Sequence, residues 1–215
     1  MTIRPALVRG LVVAALPALA VSCGRSEPAP AEVASLRPAE NGDEPRVELM
    51  ELPFGGEFAL TNQAGSPRRL SDFTGKPVLL FFGYTMCPDV CPLTMAKIAS
   101  ALRSVGAETR VQTLFVSVDV DRDTPAVLAD YVRAFGVPLE GLTGTRAAVD
   151  AVVKQYRAEY EITPADGAAG HSVSHSTFTY LIDQRGRLRY LFRHADSAER
   201  IASGIRLVLD ESPGS

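Results

Sequence analysis

The apolar positions of the chain from about residue 50 onwards predict strands and helices in alternation. The continuous apolar run 77–84 is typical of a strand buried on both faces, and the apolar, β-branched segment 111–119 predicts a second strand. Residues 57–65 predict an earlier strand, and 177–193 predict two strands joined by turn residues, which indicates a hairpin. Apolar residues at helical spacing predict four helices, at 92–106, 123–137, 145–160 and 197–209.

Two of these helices carry more detailed signals. The first includes Leu93, Ile98 and Leu102 in its apolar stripe and ends at a glycine. The second begins at an N-cap that is either Asp123 or Thr124, and a proline follows in its first turn.

The order of these elements predicts the fold class. Strands separated by helices form βαβ units in one sheet, and a closing hairpin adds antiparallel strands at its edge. We therefore expect an α/β protein with a thioredoxin-like fold, in which α-helices flank a central mixed β-sheet.

Composition narrows the class of partner. The chain has 215 residues, 46% of them hydrophobic, so one domain can bury a core without disulfides. A formal net charge of −3 and the lack of a long basic run argue against nucleic acid as a partner.

The N-terminus has the pattern of a targeting segment. Two arginines, a short apolar stretch and the small residues Ala20 and Ser22 precede Cys23. Residues 1–22 therefore predict a lipoprotein signal with Cys23 as the lipidated residue; an ordinary secretory peptide is the alternative. Residues 24–46, rich in Pro, Ala and Glu, predict a disordered tether. Both alternatives imply a bacterial cell-envelope protein, and lipidation implies a membrane anchor on the periplasmic side.

Cys87 and Cys91 follow the first buried strand and come just before a helix, where open α/β sheets place their sites. They can be read as a structural disulfide, as a redox pair that forms a Cys87–Cys91 disulfide when oxidised, or as two metal ligands. The helix N-terminus should lower the thiol pKa of Cys91 in particular. A metal site would need at least one more ligand, and two soft thiolates favour Cu(I) or zinc.

The chain has three histidines that could complete such a site. His194 follows a strand and is most simply a surface residue, while His171 lies in a glycine- and alanine-rich loop. His175 stands directly before the strand that begins the closing hairpin, where a thioredoxin-like domain brings it against the cysteine loop. We therefore favour His175, and a Cys–Cys–His set suits Cu(I) and can also hold Cu(II), whereas structural zinc normally takes four protein ligands.

Three motifs in order, "GYTMCPDVCPLT", "SVDVDRDTP" and "SHSTFTYLIDQRGRL", resemble the Sco/SenC family of copper-binding proteins of cytochrome c oxidase assembly. The resemblance implies a thioredoxin-like copper-binding domain over residues 47–212, with copper held by Cys87, Cys91 and His175. It places Asp119 near the site without making it a ligand, and Asp123 is also in place. His171, four residues before His175, is an accessory or competing candidate ligand.

The resemblance implies a membrane-tethered copper chaperone that supplies the dinuclear copper site of a cytochrome c oxidase subunit. Its other expected partners are envelope copper carriers and thiol reductants. The rival function is a thiol–disulfide oxidoreductase with Cys87 and Cys91 as catalytic residues, which does not need His175. A redox or copper sensor is a third possibility.

Overall fold

The computed structural model describes residues 46–165 and 170–211. The predicted signal segment 1–22, the proposed lipidation site Cys23 and nearly all of the tether lie outside these ranges. In the described part of the chain, no helix is both long and apolar enough to cross a membrane.

The described residues form nine strands and four α-helices, joined by turns and loops. The strands are β1 Ala59–Asn62, β2 Pro67–Arg69, β3 Val78–Gly83, β4 Gln112–Ser117, β5 Leu139–Thr143, β6 Tyr160–Pro164, β7 His171–His175, β8 Thr179–Ile182 and β9 Leu188–Phe192. The helices are α1 Val90–Ser104, α2 Pro125–Arg133, α3 Arg146–Gln155 and α4 Ala198–Asp210, with a short 3₁₀ helix at Leu70–Phe73.

Seven strands form one mixed sheet in the order β2-β1-β5-β4-β3-β8-β9. Strand β3 lies inside it, parallel to β4 and antiparallel to β8. Strands β6 and β7 form a separate antiparallel pair in which Tyr160 lies opposite His175.

The continuous apolar run in β3 is explained by burial on both faces of the sheet. Successive side chains point to opposite faces, so Leu79 and Phe81 join one core while Leu80 and Phe82 join the other. Residues of α1, α2 and α4 pack in the first core, and residues of α3 and β7 pack in the second. Both faces of β3 are thus covered, and its carboxyl end opens onto the cysteine loop.

Several boundaries differ from the sequence prediction. Helix α1 begins at Val90, two residues early, because Pro92 falls in the first turn, where its missing N–H has no intrahelical partner. The N-cap of α2 is Thr124, whose side chain accepts from the Val127 N–H. Helix α3 ends at Gln155, five residues before its expected end.

The stripe predicted for α1 was partly wrong. Its buried side chains include Cys91, Met95, Ile98 and Leu102, whereas Leu93 is exposed to solvent. Strands β2, β5, β6 and β7 were not predicted at all.

Candidate metal centre

The loop between β3 and α1 holds Cys87 in a braced turn. The Cys87 N–H donates to the carbonyl oxygen of Tyr84 at 3.3 Å, which closes a β-turn. Thr85, inside this turn, donates its N–H at 2.9 Å and its hydroxyl at 2.6 Å to the carboxylate of Asp123. Ser117, the last residue of β4, donates to the same carboxylate at 2.5 Å. Buried Asp123 therefore ties the cysteine turn to the sheet.

Cys91 is the second residue of α1 and is 0% exposed. Its backbone N–H lies 3.4 Å from the sulfur of Cys87, so this helix amide is directed at Cys87. Burial raises the pKa of the Cys91 thiol and outweighs the hydrogen bond from the Tyr84 backbone, which lowers it. The expectation of a lowered Cys91 pKa was wrong, because desolvation of a buried thiolate exceeds the effect of the helix N-terminus.

His175, at the end of β7, faces the two sulfurs. Its Nε2 lies 3.3 Å from the Sγ of Cys91, and its Nδ1 lies 2.9 Å from the carbonyl oxygen of Ser176. A carbonyl can only accept, so this contact places the proton on Nδ1 and leaves the Nε2 lone pair directed at the sulfurs. Burial lowers the pKa of His175, which favours the neutral, ligating form of the ring.

Aromatic rings fix the orientation of the imidazole. The rings of Phe81 and Tyr84 meet it edge-on, with centroids at 5.9 and 5.8 Å. Such packing holds a ligand ring in one rotamer, so His175 reaches the site already oriented.

Gly83 leaves the space that the Cys91 sulfur occupies. A Cβ added at Gly83 would lie 2.7 Å from the Cys91 Sγ and 2.9 Å from a ring carbon of Phe115. The last residue of β3 must therefore lack a side chain for the sulfur to sit against the strand. A glycine at the end of an apolar strand is a signal of close approach that the sequence analysis did not use.

Ligand atoms of Cys87, Cys91 and His175 all lie within 4.8 Å of one another. No other group of three or more His, Cys, Asp or Glu residues comes together in this way within 46–165 and 170–211. Two thiolates and an imidazole are soft and borderline donors, which suit Cu(I) and fit a three-coordinate ion. The described residues offer no fourth protein donor of these types, so the set does not match a structural zinc site.

Asp119 and His171 form a separate link beside this group. Asp119, 0% exposed, accepts from Arg122 and lies 2.9 Å from the Nε2 of His171. Arg122 also donates to the carbonyl oxygen of His171 at 3.1 Å. His171 begins β7 and is not in the expected loop, because its strand pairs with β6. Asp119 thus anchors the strand that carries His175.

His194 stands apart from the three candidate ligands. Its Nδ1 lies 3.2 Å from the hydroxyl of Thr94, and its carbonyl oxygen accepts from Lys97 at 2.6 Å. The residue is half-buried and tied to α1, so it is more constrained than the expected surface histidine.

Comparisons with known proteins agree with this geometry. The SCO1/SenC family model matches residues 48–210. SenC of Rhodobacter capsulatus is 40% identical over 166 residues, which cover 75% of this chain and 74% of SenC. The bovine protein SCO2 homolog, mitochondrial, is 39% identical over 154 residues, 70% of this chain and 58% of that protein, so the match spans less than two thirds of the bovine protein.

A solved structure shows the same architecture. The structure of Bradyrhizobium japonicum ScoI with copper bound is 36% identical and superposes with a TM-score of 0.66, covering 72% of this chain and 99% of that one. This match confirms the fold class expected from the sequence, a thioredoxin-like mixed sheet with flanking helices. By the match to the family model and by these relatives, the chain belongs to the SCO1/SenC family.

Proposed function

We propose that this chain is a copper chaperone that binds copper through Cys87, Cys91 and His175 and delivers it to the dinuclear copper site of cytochrome c oxidase. The observation that carries the proposal is the convergence of two sulfurs and one imidazole nitrogen within 4.8 Å. The copper-bound structure of the related ScoI supports copper as the metal.

The three candidate ligands differ in solvent exposure, which fits a site that takes up and releases a cargo ion. Cys91 is 0% exposed, and Cys87 and His175 are half-buried, with Cys87 on a turn. Copper binds thiolates, so each sulfur releases its proton as the metal enters, while the neutral His175 has none to lose from Nε2. An incoming thiolate of a recipient can then displace one donor at a time, and copper passes between proteins without becoming free.

Asp123 and Asp119 act in this proposal by positioning the ligands. Asp123 holds the turn that presents Cys87, and Asp119 holds the strand that ends at His175. Neither carboxylate belongs to the group of converging ligand atoms. Groups that orient metal ligands in this way typically change metal affinity about 10–100-fold when they are replaced.

The proposal includes an anchored domain on the periplasmic side of a bacterial membrane. Residues 1–22 act as a signal, Cys23 carries the lipid, 24–46 form the tether and 47–212 form the copper-binding domain. Its partners are the copper-bearing oxidase subunit, envelope copper carriers that load the site, and reductants that keep the two thiols reduced. Mass spectrometry of the mature N-terminal peptide should find a lipid on Cys23, and an unmodified Cys23 would contradict the lipid anchor.

The ligand set is tested by titrating the reduced protein with Cu(I) against a chromophoric chelator. Cys87→Ser, Cys91→Ser and His175→Ala should each lose tight one-to-one binding, while His194→Ala, a histidine outside the group, should bind as wild type. Unchanged affinity and absorption spectrum in His175→Ala would show that the ligand set is wrong.

A second candidate function is thiol–disulfide exchange, favoured by two free thiols of unequal exposure. The half-buried Cys87 would attack a partner disulfide, and buried Cys91 would then displace the reduced partner, leaving a Cys87–Cys91 disulfide and transferring two electrons. This function does not need His175. If His175→Ala abolished copper binding but kept dithiol exchange and oxidase assembly, the redox function would be favoured.

A further inference from the structure

Three of the large apolar side chains left exposed come within three residues of a candidate ligand along the chain. Met86 is 54% exposed and precedes Cys87, Leu93 is 49% exposed and follows Cys91 by two residues, and Phe178 is 38% exposed and follows His175 by three. We call Met86, Leu93 and Phe178 the apolar rim. Within 46–165 and 170–211, the other large apolar side chains this exposed are Met50, Val127 and Leu207.

The backbone holds each rim residue in an ordered element. Met86 occupies the turn closed by the Cys87 N–H and braced by Asp123 through its neighbour Thr85. Leu93 lies in the first turn of α1, with its N–H bonded to the carbonyl oxygen of Asp89 at 3.2 Å. These side chains are exposed because the fold presents them, not because the chain is frayed there.

Phe178 is held in the same way from both sides. The Ser176 N–H donates to the carbonyl oxygen of Glu159 at 2.8 Å, and Thr179 begins β8 opposite Phe81 of β3. The segment between β7 and β8 is therefore fixed at both ends. Since the ligand atoms lie within 4.8 Å of one another, the three segments that carry the rim meet at the candidate metal centre.

Acidic groups outnumber basic ones next to the rim, and Lys97, one helical turn after Leu93, is half-buried and donates to the His194 carbonyl oxygen at 2.6 Å. Asp89 is exposed in the cysteine loop. Glu159 and Glu161 are exposed on the β6 side of His175 and line with it an open depression of about 650 Å³. The nearby Arg122 is paired with buried Asp119, so its charge is largely offset. An apolar centre with a charged border is the usual anatomy of a transient protein interface.

We propose that the apolar rim is the surface on which the copper-exchange partner docks. The partner that fits is a protein whose own metal-binding loop is apolar, is bordered by Lys or Arg, and presents a thiolate or thioether to the ion. Contact with the rim excludes water from the copper while its ligands are exchanged. This inference rests on the proposed chaperone function and adds the surface and the chemistry of its partner.

The test is transfer of Cu(I) from the loaded full-length chain to the purified, copper-free copper-bearing domain of cytochrome c oxidase, with the two proteins separated at timed intervals and the copper on each measured. The rim variants are Met86→Ser and Leu93→Ser. The matched controls are Met50→Ser and Leu207→Ser, which remove apolar side chains of similar exposure, 57% and 41%. All four should keep the wild-type copper affinity and spectrum, because none is a candidate ligand.

The rim variants should raise the half-saturating concentration of the recipient about fivefold to tenfold each, the range expected for apolar residues that matter at an interface. The controls should leave it unchanged. Met86→Leu, which keeps the apolar surface but removes the thioether, should transfer as wild type. Glu161→Lys should slow association with a basic partner, and wild-type transfer should slow as salt is added.

The results distinguish a wrong docking surface from a wrong chaperone function. If wild type transferred copper but the rim variants matched their controls, the rim would not be the docking surface and the chaperone function would stand. Loss in Met86→Leu as large as in Met86→Ser would overturn the apolar contact. If wild type bound copper but gave none to the oxidase domain, the proposed function itself would be overturned.

Discussion

Replacing Gly83 by alanine tests whether the packing of β3 sets the position of a metal ligand. The new Cβ would lie 2.7 Å from the Cys91 Sγ, and ordinary van der Waals contact begins at about 3.4 Å. The Cβ cannot withdraw, because Gly83 is paired with Ser117 of β4, and ring carbons of Phe115 and Phe81 lie 2.9 and 3.0 Å from it. The Cys91 sulfur, the nearest of these groups, must therefore move, and the two rings must shift with it.

The size of this movement predicts a large effect on copper. Ligand distances in a competent metal site hold to about ±0.2 Å, so a sulfur that retreats to normal contact leaves its place opposite His175. We expect copper affinity to fall about 10–100-fold, the range seen when the groups that orient a ligand are altered. Overpacking should also lower the free energy of unfolding by about 1–3 kcal/mol.

The assay is chelator competition with Cu(I), read alongside urea unfolding of the copper-free protein. Gly204→Ala is the matched control, since its Cβ would meet a Phe192 ring carbon at 2.6 Å and no candidate ligand is among its nearest neighbours. It should lose stability but keep copper affinity. Wild-type affinity in Gly83→Ala, or an equal loss in Gly204→Ala, would refute the reasoning.

Three further predictions follow from burial and charge. Iodoacetamide should label half-buried Cys87 faster than Cys91, whose burial shields the sulfur and raises its pKa; equal rates by peptide mass spectrometry would contradict this. Burial alone would raise the pKa of Asp183, but hydrogen bonds from Arg187, Arg185 and Arg189 lower it overall. Its stabilising effect is therefore present above the ordinary pKa of 3.8 and lost as pH falls through the lower folded value. Asp183→Asn should cost about 1–3 kcal/mol in urea unfolding at pH 7 and much less at pH 2, whereas an equal cost at both would argue against it. His171→Ala should keep one copper per chain, with affinity lowered by no more than about 10–100-fold, and should speed amide exchange in β6 and β7; loss of the one-to-one copper stoichiometry would argue that His171 is a ligand.

The elements predicted well are those whose residue types directly reflect burial or the local geometry of a helix end. Strand β3 is apolar throughout and β4 has an apolar centre, because both faces of the sheet are covered and almost every residue of the two strands is buried. The start of α2 was narrowed to two residues because a threonine and a proline act locally at a helix N-terminus.

The missed elements depend on contacts that local sequence does not record. Strand β5 contains Gly141, where an added Cβ would lie 3.1 Å from Leu128 of α2; the glycine weakens the strand signal and serves the packing of a helix. In β7 the only fully buried residue is Val173, so no alternation marks the strand. Its pairing with β6 and the link from His171 to Asp119 hold it in place.

The same limit explains why the sequence selected the candidate ligands but misjudged the pKa of Cys91. Spacing and strand order favoured Cys87, Cys91 and His175, the family resemblance implied the same set, and the structure brings the three together. The sequence did not show how deeply each candidate ligand is buried. Burial raises the pKa of the Cys91 thiol, and it also affects the order in which the ligands exchange. Since Cys91 is 0% exposed while Cys87 and His175 are half-buried, a recipient thiolate must reach copper from the side of Cys87 or of His175. Transfer should therefore begin at Cys87 or His175, with buried Cys91 as the last donor to release the ion.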